Sequence, residues 1–220
     1  MIEAALSFAP LIYLIVPAAF LIGSIPFGII FTKGTGVDLT STGSKNIGAT
    51  NVLRTAGKLP AVLTLVCDML KGTLAVYICR VMIDSINPGG WSSELALTID
   101  DLWLGVAGLA AVSGHMFSVF LSFRGGKGVA TGFGVMLFYS PATAGIMLII
   151  WILMAVISRH SSLAALTAVG VMPVILALLD ASITKIIIGV LIALLIIFKH
   201  IPNIRNLIAG TESRIGDKAK

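Results

Sequence analysis

The chain has 220 residues, 57% of them apolar and only 11% charged, with a mean hydropathy of +1.04. Soluble domains carry about 25% charged residues and disordered chains combine low hydrophobicity with high net charge, so both are excluded and an integral membrane protein remains. The net charge of +5 would suggest nucleic acid in a soluble protein, but in a membrane protein the distribution of charge matters more than its total, and no nucleic-acid partner is expected.

A helix needs about 20 apolar residues to cross the hydrocarbon core. The first span is expected from Pro10 to Phe31. It is too long for the apolar region of a signal peptide, and Glu3 rather than a basic cluster precedes it, so it reads as a retained span. Further spans are expected at Pro60–Ile83 and Leu102–Phe123. A short one follows at Val129–Tyr139, closed by the turn signal Ser140-Pro141. Ala142–Ile157, Ser162–Leu179 and Ile183–Phe198 complete the series. The expected fold is an all-α bundle of about seven transmembrane helices, one polytopic membrane domain over residues 1–220. Cys67 and Cys79 share one helix about 18 Å apart, too far to bridge.

Charge supports that count. With the N-terminus outside and the C-terminus cytoplasmic, the inner segments hold Lys33, Lys45, Arg54, Lys58, Arg124, Lys127, Arg159, Lys199, Arg205, Arg214, Lys218 and Lys220. The outer segments hold Glu3, Asp84, Glu94, Asp100, Asp101 and Asp180, with only Arg80 and Lys185 as basic neighbours. The positive-inside rule fits this arrangement. Dropping the short fourth span would invert everything after it.

Three inner segments carry the polar chemistry. Gly43-Ser44-Lys45-Asn46-Ile47-Gly48-Ala49-Thr50-Asn51-Val52-Leu53-Arg54 combines glycines, hydroxyls, amides and two cations, the composition of a backbone anion nest or of a solvated connector. Gly125-Gly126-Lys127-Gly128-Val129-Ala130-Thr131 is a glycine turn entering a helix, favourable for phosphate because the first N–H groups lack partners. It is not a Walker A loop, which needs Ser or Thr after the lysine. Lys199-His200-Ile201-Pro202-Asn203-Ile204-Arg205 follows the last span. There Pro202 is expected to end the helix, and the cations suit anionic lipid.

Inside the bilayer, Asp68 and Lys71 share a helix face and read either as a functional pair or as a structural ion pair. His115 reads either as a ligand or proton carrier or, as is commoner for such a histidine, as a donor that satisfies a backbone carbonyl. No spacing suggests a metal site, and no G-x-S-x-G elbow is present. His115, His160 and His200 are followed five positions on by Phe120, Ala165 and Arg205, so an H-x-x-x-x-D acyltransferase motif is absent.

Taken in order, these segments resemble the bacterial acyl-phosphate:glycerol-3-phosphate acyltransferases. The resemblance rests on Gly23-Ser24-Ile25-Pro26-Phe27-Gly28, on Gly43 to Arg54, and on Asp68-x-x-Lys71-Gly72. It continues through Gly114-His115 to Gly125–Thr131 and Lys199-His200-x-x-Asn203-Ile204-x-Arg205. It implies seven helices in the bacterial cytoplasmic (inner) membrane, with the active site on the cytoplasmic face. It also implies transfer of an acyl group from acyl phosphate to glycerol-3-phosphate, giving lysophosphatidic acid and inorganic phosphate, the first step of phospholipid synthesis. No cofactor is expected. The expected partners are the two substrates, membrane lipid and, transiently, the enzyme that makes the acyl phosphate.

By matching positions, His200, Lys127 and Arg54 are the expected catalytic set. Ser44, Asn46, Gly48, Thr50, Asn51, Gly125, Gly126, Gly128, Thr131, Asn203 and Arg205 are the expected substrate-binding set. In the family the acyl phosphate takes the hydroxyl proton, so His200 is expected to bind and orient substrate rather than act as base. The loops offer scarcely any carboxylate: Asp38, ahead of Gly43, is the only acid in the two connectors that carry the first two segments. Two positions depart from the family pattern. Lys45 stands where glycine is usual, which alters the turn, and Ser118 stands for proline, expected to affect helix shape only. The competing class is a membrane carrier or binding protein for an organic phosphate, which would need polar positions continuing to the outer face.

Overall fold

The computed structural model describes residues 10–86 and 94–217; Glu3, Lys218 and Lys220 of the charge argument lie outside them. The described residues form helices and contain no strand. A 3-10 turn at Pro10–Leu14 leads into α1 (Ile15–Ser24) and α2 (Phe27–Thr32). The first span is therefore broken at Ile25-Pro26, because Pro26 has no N–H to donate and disfavours the helical region for Ile25. The break leaves two carbonyls for other groups. Ser118 Oγ donates to Ser24 O at 2.6 Å, and Lys71 Nζ to Ile25 O at 2.8 Å. Ser118 thus does more than shape a helix: it ties two spans together.

The short α3 (Ala49–Thr55) and the long α4 (Lys58–Ile86) follow. Next comes α5 (Glu94–Met116), which starts earlier and ends sooner than the expected Leu102–Phe123. It takes in polar residues at one end, and at the other Phe117-Ser118 turns the chain into a 3-10 turn at Val119–Leu121. Then come α6 (Val129–Tyr139), α7 (Pro141–Ser158), α8 (Ser161–Leu179), α9 (Ile183–Lys199) and α10 (Ile201–Ile208). Pro202 does not simply stop a helix. It sits in the first turn of α10, where a missing N–H costs nothing, and α10 bends 60° away from α9.

Among the described residues, five helical stretches are long and apolar enough to cross a membrane, and the bent α9–α10 pair makes a sixth. The core is built of small and flexible side chains, with Ala107, Ala111, Ala168, Met116, Met136 and Met172 all buried. Small residues let membrane helices approach closely. At Gly134, on α6, a Cβ would overlap the Met69 carbonyl of α4. One turn away, Thr73 Oγ1 of α4 donates to Gly134 O at 2.7 Å.

α6 is the buried centre of the bundle. Its 11 residues span about 16 Å, against a hydrocarbon core of about 30 Å. Its C-terminal end reaches a polar layer. There Tyr139 Oη donates to Asp101 O at 2.7 Å and Ser140 Oγ to Asp180 Oδ2 at 2.6 Å. Lys185 Nζ pairs with Asp180 at 2.8 Å, and Arg80 with Asp100 at 2.7 Å. Its N-terminal end carries the Gly125–Gly128 turn, at the opposite end of the helix from that polar layer.

Candidate active site

The first loop is organised by Asn51, which is buried on α3. Its Oδ1 accepts from Ser44 N at 2.9 Å, and its Nδ2 donates to Asn46 O at 2.8 Å and Thr42 O at 3.1 Å. These bonds occupy the amide, so Asn51 holds the loop together. Asn46 Oδ1 accepts from Gly48 N at 3.0 Å, closing the turn into α3. Ser44 and Thr50 are exposed, and among the described residues their hydroxyls have no partner. Lys45 sits at φ +57°, the left-handed region that costs a side-chain-bearing residue 1–2 kcal/mol. The turn therefore keeps its shape under strain despite the departure from glycine. Arg54, half-buried, leaves α3 toward the second loop.

That second loop turns back on α5. Gly125 N donates to Met116 O at 3.1 Å and Gly126 N to His115 O at 2.9 Å. Those two N–H groups therefore cap the carbonyl end of α5 and are not available to an anion. The anion-binding capacity shifts to Lys127 and to the first N–H groups of α6, which have no intrahelical acceptor. Gly128 caps α6 at φ +84°. Thr131 is fully buried at the first turn, and its Oγ1 has no partner among the described residues. Burial holds the Lys127 amine down to about 8; Arg54 pushes the same way, and Glu212 opposes both.

The third segment closes the site. His200 is buried between α9 and α10, and its Nδ1 lies 2.8 Å from Ile196 O. A carbonyl can only accept, so Nδ1 carries the proton and Nε2 presents a lone pair. Asn203 Nδ2 donates to Glu212 Oε1 at 2.7 Å, and Ser162 Oγ donates to the same oxygen at 2.6 Å. Arg205 is exposed on α10. Glu212 and Ser162 are the residues the sequence reading missed: a carboxylate stands among the cations after all. Among the described residues no three His, Cys, Asp or Glu side chains are placed to hold a metal ion.

Below the second loop lies the intramembrane cluster. Lys71 Nζ is 2.7 Å from Asp68 Oδ1, and His115 Nδ1 is 3.6 Å from the same oxygen, all three residues being buried. The His115 ring therefore faces a carboxylate and not a backbone carbonyl as expected.

The glycerol-3-phosphate acyltransferase family model matches residues 13–210. The chain belongs to that family. It is 42% identical over 195 residues to the glycerol-3-phosphate acyltransferase of Geotalea daltonii, covering 89% of this chain and 93% of that protein. With the Methylorubrum populi enzyme of the same name it shares 49% over 197 residues, 89% of each. The crystal structure of PlsY (YgiH), an integral membrane glycerol 3-phosphate acyltransferase in its glycerol 3-phosphate form, superposes with a TM-score of 0.81 at 37% identity. That match covers 93% of this chain and 96% of the other. The lysophosphatidic acid form of PlsY gives 0.79 at 36% identity, covering 93% and 95%. The protein is thus an integral membrane acyltransferase.

Proposed function

We propose that the protein transfers an acyl group from acyl phosphate to glycerol-3-phosphate, at the cytoplasmic face of the bacterial inner membrane, as the first step of phospholipid synthesis. The observation that carries this reading is the convergence of Lys127, Arg54, His200 and Asn203 at the N-terminal end of α6, around Glu212. Two phosphate-bearing substrates need such a concentration of donors and cations. An acyl chain needs a site that lipid can reach, and this one lies at the end of a helix inside a bundle of membrane spans.

In the reaction the glycerol-3-phosphate hydroxyl oxygen attacks the acyl carbonyl carbon. The carbon–oxygen bond to phosphate breaks, and the hydroxyl proton leaves on the phosphate, giving an ester and inorganic phosphate. Lys127 and Arg54 offset phosphate charge, and the unprotonated Nε2 of His200 suits a hydroxyl group better than a phosphate oxygen. Catalysis is then mainly positioning and charge stabilisation. Ser44, Thr50, Thr131 and Arg205 offer further contacts to the two substrates.

Orientation follows from charge. Lys33, Lys45, Arg54, Lys58, Arg124, Lys127, Arg159, Arg205 and Arg214 belong to the site end, whereas Asp84, Asp100, Asp101 and Asp180 belong to the other. The positive-inside rule puts the site in the cytoplasm, with α6 as the fourth of seven crossings. The carrier reading is disfavoured because the apolar length of α6 separates the site from the polar layer of Tyr139, Asp101, Asp180 and Lys185. Purified protein given glycerol-3-phosphate and acyl phosphate should form lysophosphatidic acid and inorganic phosphate in equal amounts, without ATP. Uptake of glycerol-3-phosphate into vesicles with no such product would support the carrier instead.

A further inference from the structure

Asp68, Lys71 and His115 belong to neither loop that offers groups to substrate, yet three ionisable side chains inside a membrane bundle carry a high desolvation cost. Their placement assigns them work. The His115 ring lies directly under Gly126: a Cβ at Gly126 would overlap His115 Nε2, and Gly126 N donates to His115 O at 2.9 Å. The residue after Gly126 is Lys127. Asp68 stands on the other side of the ring, 3.6 Å from Nδ1, too long for a hydrogen bond but close enough to orient the imidazole. Lys71 pairs with Asp68 at 2.7 Å and reaches on to Ile25 O at 2.8 Å, at the break between α1 and α2. From there α2 supports the first loop, with Gly28 packed against the Ile47 carbonyl.

Resting on the function proposed above, we infer that the Asp68–Lys71–His115 cluster is a positioning device, in which His115 is the floor that sets the height of Lys127 and Lys71 ties that floor to the element supporting the first loop. These three are positioning residues and contact no substrate. A rigid floor is useful here because a displacement of about 1 Å in a site built on positioning can cost a hundredfold in rate.

The test is second-site suppression in the full-length protein in detergent. Gly126→Ala adds a methyl against His115, and overpacking of that kind predicts a loss of roughly tenfold or more in kcat/KM for glycerol-3-phosphate. In Gly126→Ala/His115→Ala the methyl has room, so most of that loss should be recovered. A second readout needs no acyl donor: amine labelling of Lys127, followed by peptide mass spectrometry against pH. Its midpoint, about 8 in the native protein, should move toward the ordinary lysine range in Gly126→Ala and return in the double variant. Should Gly126→Ala not fold, His115→Asn alone should raise KM and Lys127 labelling together. A double variant worse than either single one, or labelling that ignores both substitutions, overturns the inference. If the native protein makes no lysophosphatidic acid but labelling still shows suppression, the functional reading fails and the positioning role stands.

Discussion

Glu212 Oε1 accepts hydrogen bonds from Asn203 and from Ser162, at 2.7 and 2.6 Å. One carboxylate thus joins α10, the start of α8 and the C-terminal segment beside Lys127. Its charge is the influence that raises the Lys127 amine against burial and Arg54. Glu212→Gln keeps an acceptor for both neighbours but removes that influence. If the ammonium form of Lys127 binds phosphate, kcat/KM is full below about 8 and falls as pH rises through it. In Glu212→Gln the fall should begin at lower pH. Profiles of kcat/KM against pH for the two proteins check this.

Lys127 and Arg124 are three residues apart and differ in surroundings. Lys127 is half-buried near Arg54 and Glu212, whereas Arg124 is exposed. Lys127→Ala should lower kcat/KM by about a hundredfold or more, the scale of losing one preorganised charge-stabilising donor. Arg124→Ala should stay within a few-fold. Equal losses in the two would remove the anion-binding role from the second loop.

Much of this was legible from residue types. Hydropathy marked the spans, and glycine with basic residues marked the loops. The misses share a physical cause: they depend on contacts between residues distant in sequence. Glu212 sits in a polar stretch with no local pattern, and Ser162 meets it from fifty residues away. The bonds by which Asn51 gathers Ser44, Asn46 and Thr42 around its amide were likewise not legible from its type. Nor does the local sequence show that the chain reversal at Phe117-Ser118 points the Gly125 and Gly126 N–H groups at the end of α5. The first span was expected to run unbroken from Pro10 to Phe31, and neither the break at Pro26 nor the groups that fill it, Ser118 and Lys71, was legible.

The buried pair gives a stability prediction. Asp68→Ala leaves Lys71 charged and without its carboxylate, a change that typically costs about 3–5 kcal/mol. Replacing both, as Asp68→Leu/Lys71→Met, removes the charge penalty and leaves the Ile25 carbonyl without its donor, about 1–3 kcal/mol. The double variant should therefore melt at a higher temperature than Asp68→Ala, as thermal unfolding in detergent can check.

Lys45 offers the opposite test. Its left-handed backbone, φ +57°, is relieved by Lys45→Gly at the expense of extra unfolded-state freedom, for a net gain of about 0.5 kcal/mol. Tm should rise slightly with turnover unchanged within twofold. A large loss of activity would make the Lys45 side chain a substrate ligand.

The central claim is that acyl phosphate is the donor, attacked directly by glycerol-3-phosphate in a site that supplies cations and positioning. The most direct measurement is lysophosphatidic acid formation by the purified protein with acyl phosphate and with acyl-CoA of the same chain length, side by side at matched concentrations. Rapid product formation is expected with acyl phosphate, with inorganic phosphate released one for one, and little product with acyl-CoA. Equal or faster turnover with acyl-CoA would contradict it.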